Sequence, residues 1–180
     1  MSVRLALLGS INIGGNRITM ADLRERLAKS GFGKVETVAA SGNVIFASDE
    51  PEDELAARIA SLLESEFGIA GLTVVRTKAE VRSAIEDNPF HGDGADKMVH
   101  SIFLPRAPVE GGFEALLQAH RDRGAERLAL GDRVLYVDYV DGVGVSDLTG
   151  RFIEKRLGCR GTARNMTSLK RILGKMEDFA

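Results

Sequence analysis

The clearest indication of the fold is the segment Val-Glu-Thr-Val-Ala-Ala-Ser-Gly-Asn-Val-Ile-Phe-Ala at residues 35–47. Its two ends are rich in β-branched and other apolar side chains, which is typical of strands. Ser41-Gly42-Asn43 lies between them and supplies residues that tolerate a positive φ. The segment therefore predicts a β-hairpin, with strands at 35–39 and 44–47.

Helices and strands are predicted on both sides of this hairpin. An aliphatic run at 3–8 predicts a central strand, and residues 20–30 place apolar side chains at helical spacing, capped by Thr19. After the hairpin, residues 51–67 predict a second amphipathic helix and residues 72–76 a fourth strand. The order strand, helix, strand, strand, helix, strand is that of the split βαββαβ unit of ferredoxin-like folds.

The second half of the chain repeats this order in outline. Its predicted elements are a linking helix at 79–86, a strand at 98–104, a helix at 113–123, a hairpin at 127–140, and helices at 146–157 and 165–176. A convincing last strand is missing. The predicted fold is therefore α+β, with two ferredoxin-like split βαββαβ halves, the second incomplete, and antiparallel sheets with helices packed on one face. The predicted halves are 1–90 and 91–180, which could also form one compact unit, and the second ends in a basic C-terminal helix.

Composition limits the class of protein. The 180 residues carry 24 Lys and Arg against 26 Asp and Glu, a net charge of −2, which gives no overall attraction to nucleic acid or to a membrane. A single cysteine, Cys159, excludes an intrachain disulfide. The N-terminal apolar run is far shorter than the ~20 residues of a membrane helix. We therefore expect a soluble, cytoplasmic protein.

The first candidate site is the turn after the first strand, where Asn12, Gly14, Gly15 and Asn16 precede a helix. Glycines let backbone amides approach a ligand, and free N–H groups at a helix start can bind an anion. The turn matches neither the phosphate-loop pattern nor the dinucleotide fingerprint. The same residues are also common in turns for purely conformational reasons.

Two further polar segments are candidates. Ser41 and Asn43 lie in the hairpin turn, where a structural role is the simpler interpretation, and no base adjoins the serine. Near the C-terminus, residues 151–175 hold eight basic side chains and one acidic one. Arg164 could grip two oxygens of a phosphate or carboxylate, whereas Asn165 would cap the last helix. A solvated basic face, or its pairing with the acidic residues 49–66, is the alternative.

Metal and cofactor binding are not predicted. His91, His100 and His120 are far apart and lack the spacing of metal ligands. The acidic residues near Gly142 and Gly144 do not fit a calcium loop. We therefore expect neither a metal nor a cofactor.

Eight short segments together resemble the bacterial family named domain of unknown function 1697. They are residues 6–8, 11–15, 20–23, 41–46, 75–77, 88–90, 141–144 and 162–165, and their order covers nearly the whole chain. The resemblance implies an α+β fold with ferredoxin-like halves. It implies no established activity.

The chain also departs from that family pattern. Gly9 stands where the family usually has arginine, Asp147 where it has lysine, and Met166 where it has tryptophan. Two cations and an aromatic ring are therefore missing. If the family binds an anionic or planar ligand, we expect this protein to bind it more weakly or to bind a different ligand.

The leading hypothesis is that the protein binds a small ligand. Whether it is also an enzyme is left open. We expect the ligand to be small and polar or anionic, in a pocket between the halves that gathers Asn12, Gly14, Gly15, Asn16, Ser41, Asn43, Arg164 and Asn165. One alternative, the less favoured, is a single-stranded nucleic-acid module, which requires exposed rings on central strands, with Phe46, Tyr136 and Tyr139 as candidates. The other is a structural or protein-interaction role. The oligomeric state stays open.

Overall fold

The structure is a computed structural model that describes residues 1–11, 18–38 and 42–179. The chain divides into two compact units, Met1–Val81 with Arg171–Ala180, and Arg82–Lys170. Each unit contains a four-stranded sheet whose paired strands are antiparallel. The predicted α+β class with antiparallel sheets is confirmed.

Among the described residues, six α-helices and eight strands make up the two units. In chain order they are β1 Val3–Leu8, α1 Met20–Leu27, β2 Val35–Val38, β3 Asn43–Ala47, α2 Glu52–Phe67, β4 Thr73–Thr77, α3 Lys78–Glu86, β5 Val99–Phe103, α4 Gly112–His120, β6 Arg127–Gly131, β7 Val134–Asp138, α5 Gly150–Leu157, β8 Thr162–Asn165 and α6 Met166–Asp178.

The same topology occurs in both units. The strand order is β2-β3-β1-β4 in the first sheet and β6-β7-β5-β8 in the second. Each sheet is therefore built from a βαββαβ segment whose first and third strands are the central pair, which is the connectivity of the split unit. No helix in the described part of the chain is long and apolar enough to cross a membrane.

The prediction of an incomplete second half was wrong. Thr162–Asn165 forms β8, which pairs with β5 and places Arg164 opposite Ser101 and Ala163 opposite Ile102. Ala163 is the only aliphatic residue of the four. The strand therefore owes its conformation to pairing with β5, and its own hydrophobic pattern is too weak to reveal it.

The aliphatic run of β1 reflects burial on both faces. Ala6 packs in the core with Leu23 of α1, whereas Leu5 and Leu7 point to the other face and are 0% exposed. A strand buried on both faces has no need for alternating polar residues. The predicted central strand at 3–8 is confirmed.

An N-terminal cap begins the helix that follows each last strand. The Glu80 N–H donates to Thr77 Oγ1 (3.1 Å) at the start of α3, and the Ser168 N–H donates to Asn165 Oδ1 (2.9 Å) at the start of α6. Each bond satisfies an amide that the helix itself leaves unpaired. The predicted capping role of Asn165 is confirmed.

Candidate functional site

Five of the residues predicted to bind a ligand lie outside the described part of the chain. They are Asn12, Gly14, Gly15, Asn16 and Ser41. Their predicted role stays a prediction. The other three are Asn43, in the first unit, and Arg164 and Asn165, in the second.

Asn43 is fully buried and holds the first hairpin together. It is 0% exposed, and its Nδ2 donates to the Val38 carbonyl at 3.0 Å, across the turn between β2 and β3. A buried amide needs such partners, because an unsatisfied one is costly. This bond gives Asn43 a structural role in the hairpin.

Arg164 is held by its own strand. Its Nη1 donates to Thr162 Oγ1 and to the Ala163 carbonyl, both at 2.8 Å, and the residue is 7% exposed. Burial lowers the pKa of this guanidinium to about 10. Arg76 holds the equivalent position in β4, where its Nη1 donates to the Val75 carbonyl at 2.9 Å. The repeat gives each arginine a structural role in its own sheet, and the predicted ligand-binding role of Arg164 stays a prediction.

A pocket of about 370 Å³ lies in the second unit, on the face of the sheet opposite to Arg164. Its apolar lining comes from Ile102 of β5, Ala163 of β8, Leu148 before α5 and Ile153 within α5. The volume is that of a small-molecule site, and such sites are mostly apolar with a few polar groups.

Three hydroxyl groups supply the polar part of this lining. They belong to Tyr139, Ser146 and Thr149, and Gly150 adjoins them at the start of α5. Thr149 Oγ1 accepts from the Phe152 N–H at 3.2 Å and so caps the helix. The pocket therefore has hydrogen-bonding groups beside the first turn of a helix.

Behind Ser146 lies a buried pair, Glu126 and His120. Ser146 Oγ donates to Glu126 Oε1, and Glu126 Oε2 lies 3.4 Å from His120 Nε2. The side chains are 8% exposed for Glu126 and 9% for His120. Within the described residues, Glu126 Oε2 and both ring nitrogens of His120 make no hydrogen bond. The carboxylate is thus held by Ser146 on one side and by a buried imidazole on the other.

This carboxylate affects its neighbours electrostatically. Burial raises the pKa of Glu126, but the hydrogen bond from Ser146, its own backbone N–H and the charge of His120 outweigh burial, and the pKa is lowered. Burial, helped by the charge of Glu126, raises the pKa of Tyr139 to about 12. At neutral pH the pocket therefore has a neutral phenol in its lining and a negative charge behind it.

The loop that follows Tyr139 is strained. Val140 has φ 58°, a left-handed conformation that β-branched residues rarely adopt. Its N–H donates to Asp138 Oδ1 at 3.0 Å, and the Asp141 N–H donates to the Tyr139 carbonyl at 2.6 Å. The loop continues to Val143, which lines the pocket. Backbone strain of this kind is often found at functional sites.

Few features of the sequence indicate this site. His120 lacks metal-ligand spacing, Glu126 lies between the predicted helix at 113–123 and the hairpin at 127–140, and Ser146 begins the helix predicted at 146–157. Their importance depends on burial and on mutual contact, which spacing does not reveal.

The first unit also contains a groove of about 460 Å³, near Phe32 and Arg58. The guanidinium of Arg58 is already engaged, with Glu50 oxygens at 2.5 and 2.7 Å and the Ser30 carbonyl at 3.1 Å. It also stacks over the Phe32 ring, 4.5 Å from its centre. The groove therefore offers a ligand few polar groups that are not already bound within the protein.

No group of three or more His, Cys, Asp or Glu side chains in the described ranges could hold a metal ion. The pocket in the second unit offers hydroxyl groups, an apolar lining and, behind Ser146, the Glu126–His120 pair.

Comparison with known proteins supports the fold and the family. The chain is similar to the conserved bacterial protein SP0830 from Streptococcus pneumoniae, with a TM-score of 0.73, 18% identity, and coverage of 98% of this chain and 99% of the other. At that identity the likeness shows the fold alone. Among curated proteins, none matches the sequence. The family model described as "Protein of unknown function (DUF1697)" matches residues 1–136, about three quarters of the chain, so the protein belongs to this family.

Proposed function

We propose that this protein binds a small molecule in the pocket of the second unit. The observation that carries the proposal is the pocket of about 370 Å³, in which Tyr139 and Ser146 meet an apolar lining while a buried Glu126–His120 pair supports them from behind. Convergent polar groups in an apolar pocket are the usual composition of a ligand site. The sequence-based hypothesis of a small-ligand protein is thereby kept, with its site moved to different residues.

The hydrogen bonds favour binding over nucleophilic catalysis. In a serine hydrolase the serine is activated by a histidine, which an acid orients. Here Ser146 donates directly to Glu126, and His120 lies on the far side of that carboxylate. A carboxylate whose pKa is lowered is a weak base. The arrangement therefore fixes the direction of the Ser146 hydroxyl rather than removing its proton.

The nucleic-acid alternative loses its main support. Phe46 is 1% exposed, and Tyr136 and Tyr139 are each 5% exposed. A base stacks on a ring only where the ring face is open. None of these three rings can serve as a stacking platform.

A filled-pocket variant tests the proposal. We expect Ala163→Leu to place a larger side chain in the pocket, since Ala163 lines it and is itself exposed. A fragment screen followed by ligand-observed NMR on the full chain should give binders whose saturation-transfer signals disappear in this variant.

Ala57→Leu is the matched control, because Ala57 is exposed on α2 and lines the groove of the first unit. Binding should survive this substitution. Binders lost in Ala57→Leu but kept in Ala163→Leu would place the site in the first unit and refute the proposal.

A further inference from the structure

The hydrogen bonds of Ser146 leave it able only to accept from a ligand. A serine hydroxyl has one hydrogen to donate and two lone pairs. The hydrogen goes to Glu126 Oε1, and one lone pair accepts the Leu148 N–H at 3.0 Å. One lone pair remains for the pocket that Ser146 lines.

Glu126 keeps the hydroxyl in this direction. An ionised carboxylate accepts hydrogen bonds and cannot donate them. The lowered pKa of Glu126 means that it is ionised at neutral pH, and His120 Nε2, 3.4 Å away, lies against its second oxygen. The hydrogen bond to Glu126 therefore keeps the Ser146 hydrogen directed away from a ligand.

The same carboxylate makes the pocket unfavourable for anions. None of the side chains described as lining it is charged, so a bound anion would lose water without gaining a cation. It would also lie near the negative charge of Glu126 at low effective dielectric. The prediction of an anionic ligand rested partly on Arg164, which lies on the other face of the sheet. It rested also on the turn at 12–16, which lies outside the described part of the chain.

The other end of the pocket has the opposite polarity. Thr149 Oγ1 already accepts from the Phe152 N–H, and a threonine that accepts one bond can still donate its hydrogen. The first turn of α5, at Gly150, adds the positive end of a helix dipole. A ligand acceptor such as a carbonyl oxygen suits this end.

We propose, on the basis of the function proposed above, that Ser146 determines specificity by accepting a hydrogen bond, so that the pocket selects uncharged ligands with an N–H or O–H donor on an apolar body. Alcohols and primary amides belong to this class. Carboxylates and phosphates do not.

Two matched pairs of probes test this directly on the wild-type chain. Cyclohexanol and cyclohexanone have nearly the same volume, but only the alcohol can donate. We expect the alcohol to bind about fivefold more tightly, the value of one net hydrogen bond. Cyclohexanecarboxamide should likewise bind more tightly than cyclohexanecarboxylate, by at least about fivefold. Dissociation constants come from ligand-observed NMR titration at pH 7.

Glu126→Gln then tests the cause. A glutamine amide can donate to Ser146 Oγ, which frees the serine hydrogen for the ligand. The ratio of the dissociation constants of ketone and alcohol should therefore fall to about one, or the preference should reverse. Ser146→Ala removes the acceptor and should also abolish the preference. Ala57→Leu, in the first unit, should leave the preference unchanged.

The outcomes separate the two proposals. The role of Ser146 would be overturned if the wild type bound the ketone as tightly as the alcohol, or more tightly. Equal binding of carboxylate and carboxamide would also overturn it. In both cases the pocket would remain a ligand site. Absence of binding by all four probes, together with no binder from the fragment screen that Ala163→Leu abolishes, would overturn the proposed function itself.

Discussion

Arg76 and Arg164 occupy equivalent positions in the two sheets. Arg76 lies opposite Leu5 in β4, Arg164 lies opposite Ser101 in β8, and each donates its Nη1 to the carbonyl of the residue before it. Both are almost fully buried, at 4% and 7% exposure. The repeat indicates that each guanidinium stabilises the last strand of its own sheet.

We therefore expect Arg164→Ala to reduce stability. The substitution removes charge-assisted bonds to Thr162 and Ala163, which should cost about 2–3 kcal/mol in the free energy of unfolding, measured in urea. Arg76→Ala should have a similar effect. Arg151→Ala, at an exposed site, should change stability by less than about 0.5 kcal/mol. A stable Arg164→Ala protein that had lost only ligand binding would contradict the structural role.

Stability should depend on pH through Glu126. Its pKa is lower in the folded protein than the usual value of 4.5, so its ionised form stabilises the fold. This contribution is present above the unfolded pKa and is lost as pH falls through the folded pKa. Urea unfolding from pH 7 to pH 3 should show the stability difference between wild type and Glu126→Gln shrinking below about pH 4.5. A difference that grows on acidification would contradict the assignment.

Tyrosine ionisation offers a clean measurement near the pocket. The chain has two tyrosines and no tryptophan, so absorbance at alkaline pH reports on Tyr136 and Tyr139 alone. Tyr139 should ionise near pH 12, and Tyr139→Phe should remove that transition. Because its folded pKa is raised, the stabilisation it contributes is complete below about pH 10 and is lost as pH rises further. Ionisation of Tyr139 at pH 10 in the folded protein would show that it is not buried.

The strain at Val140 can be relieved. Asparagine tolerates the left-handed conformation that valine adopts there with φ 58°. Val140→Asn should therefore stabilise the protein by about 0.5–1 kcal/mol in urea unfolding. Val145 is 76% exposed and has no positive φ, so Val145→Asn should be nearly neutral. Equal effects of the two substitutions would argue that Val140 is not strained.

Local signals in the sequence predicted much of the fold. The aliphatic run of β1 and the helix cap at Asn165 depend on neighbouring residues, so they were evident without a structure. β8 was missed because its single aliphatic residue, Ala163, becomes part of a strand only through pairing with β5.

The candidate site was harder to predict for the same reason. Glu126 and His120 are charged or titratable residues that ordinarily lie at the surface. Their burial results from contacts with Ser146 and with each other. The three residues are up to 26 positions apart in the sequence, from His120 to Ser146. Long-range contacts of this kind leave no periodic pattern in the sequence.

The most direct test of the ligand site is a chemical-shift map. Cyclohexanol is titrated into the full chain labelled with ¹⁵N, and the backbone amide shifts are followed. We expect the largest shifts at the amides of Ser146, Thr149, Gly150 and Gly161, which line the pocket of the second unit. Shifts confined to Arg58 and its neighbours in the first unit, or no saturable shifts at all, would contradict the account.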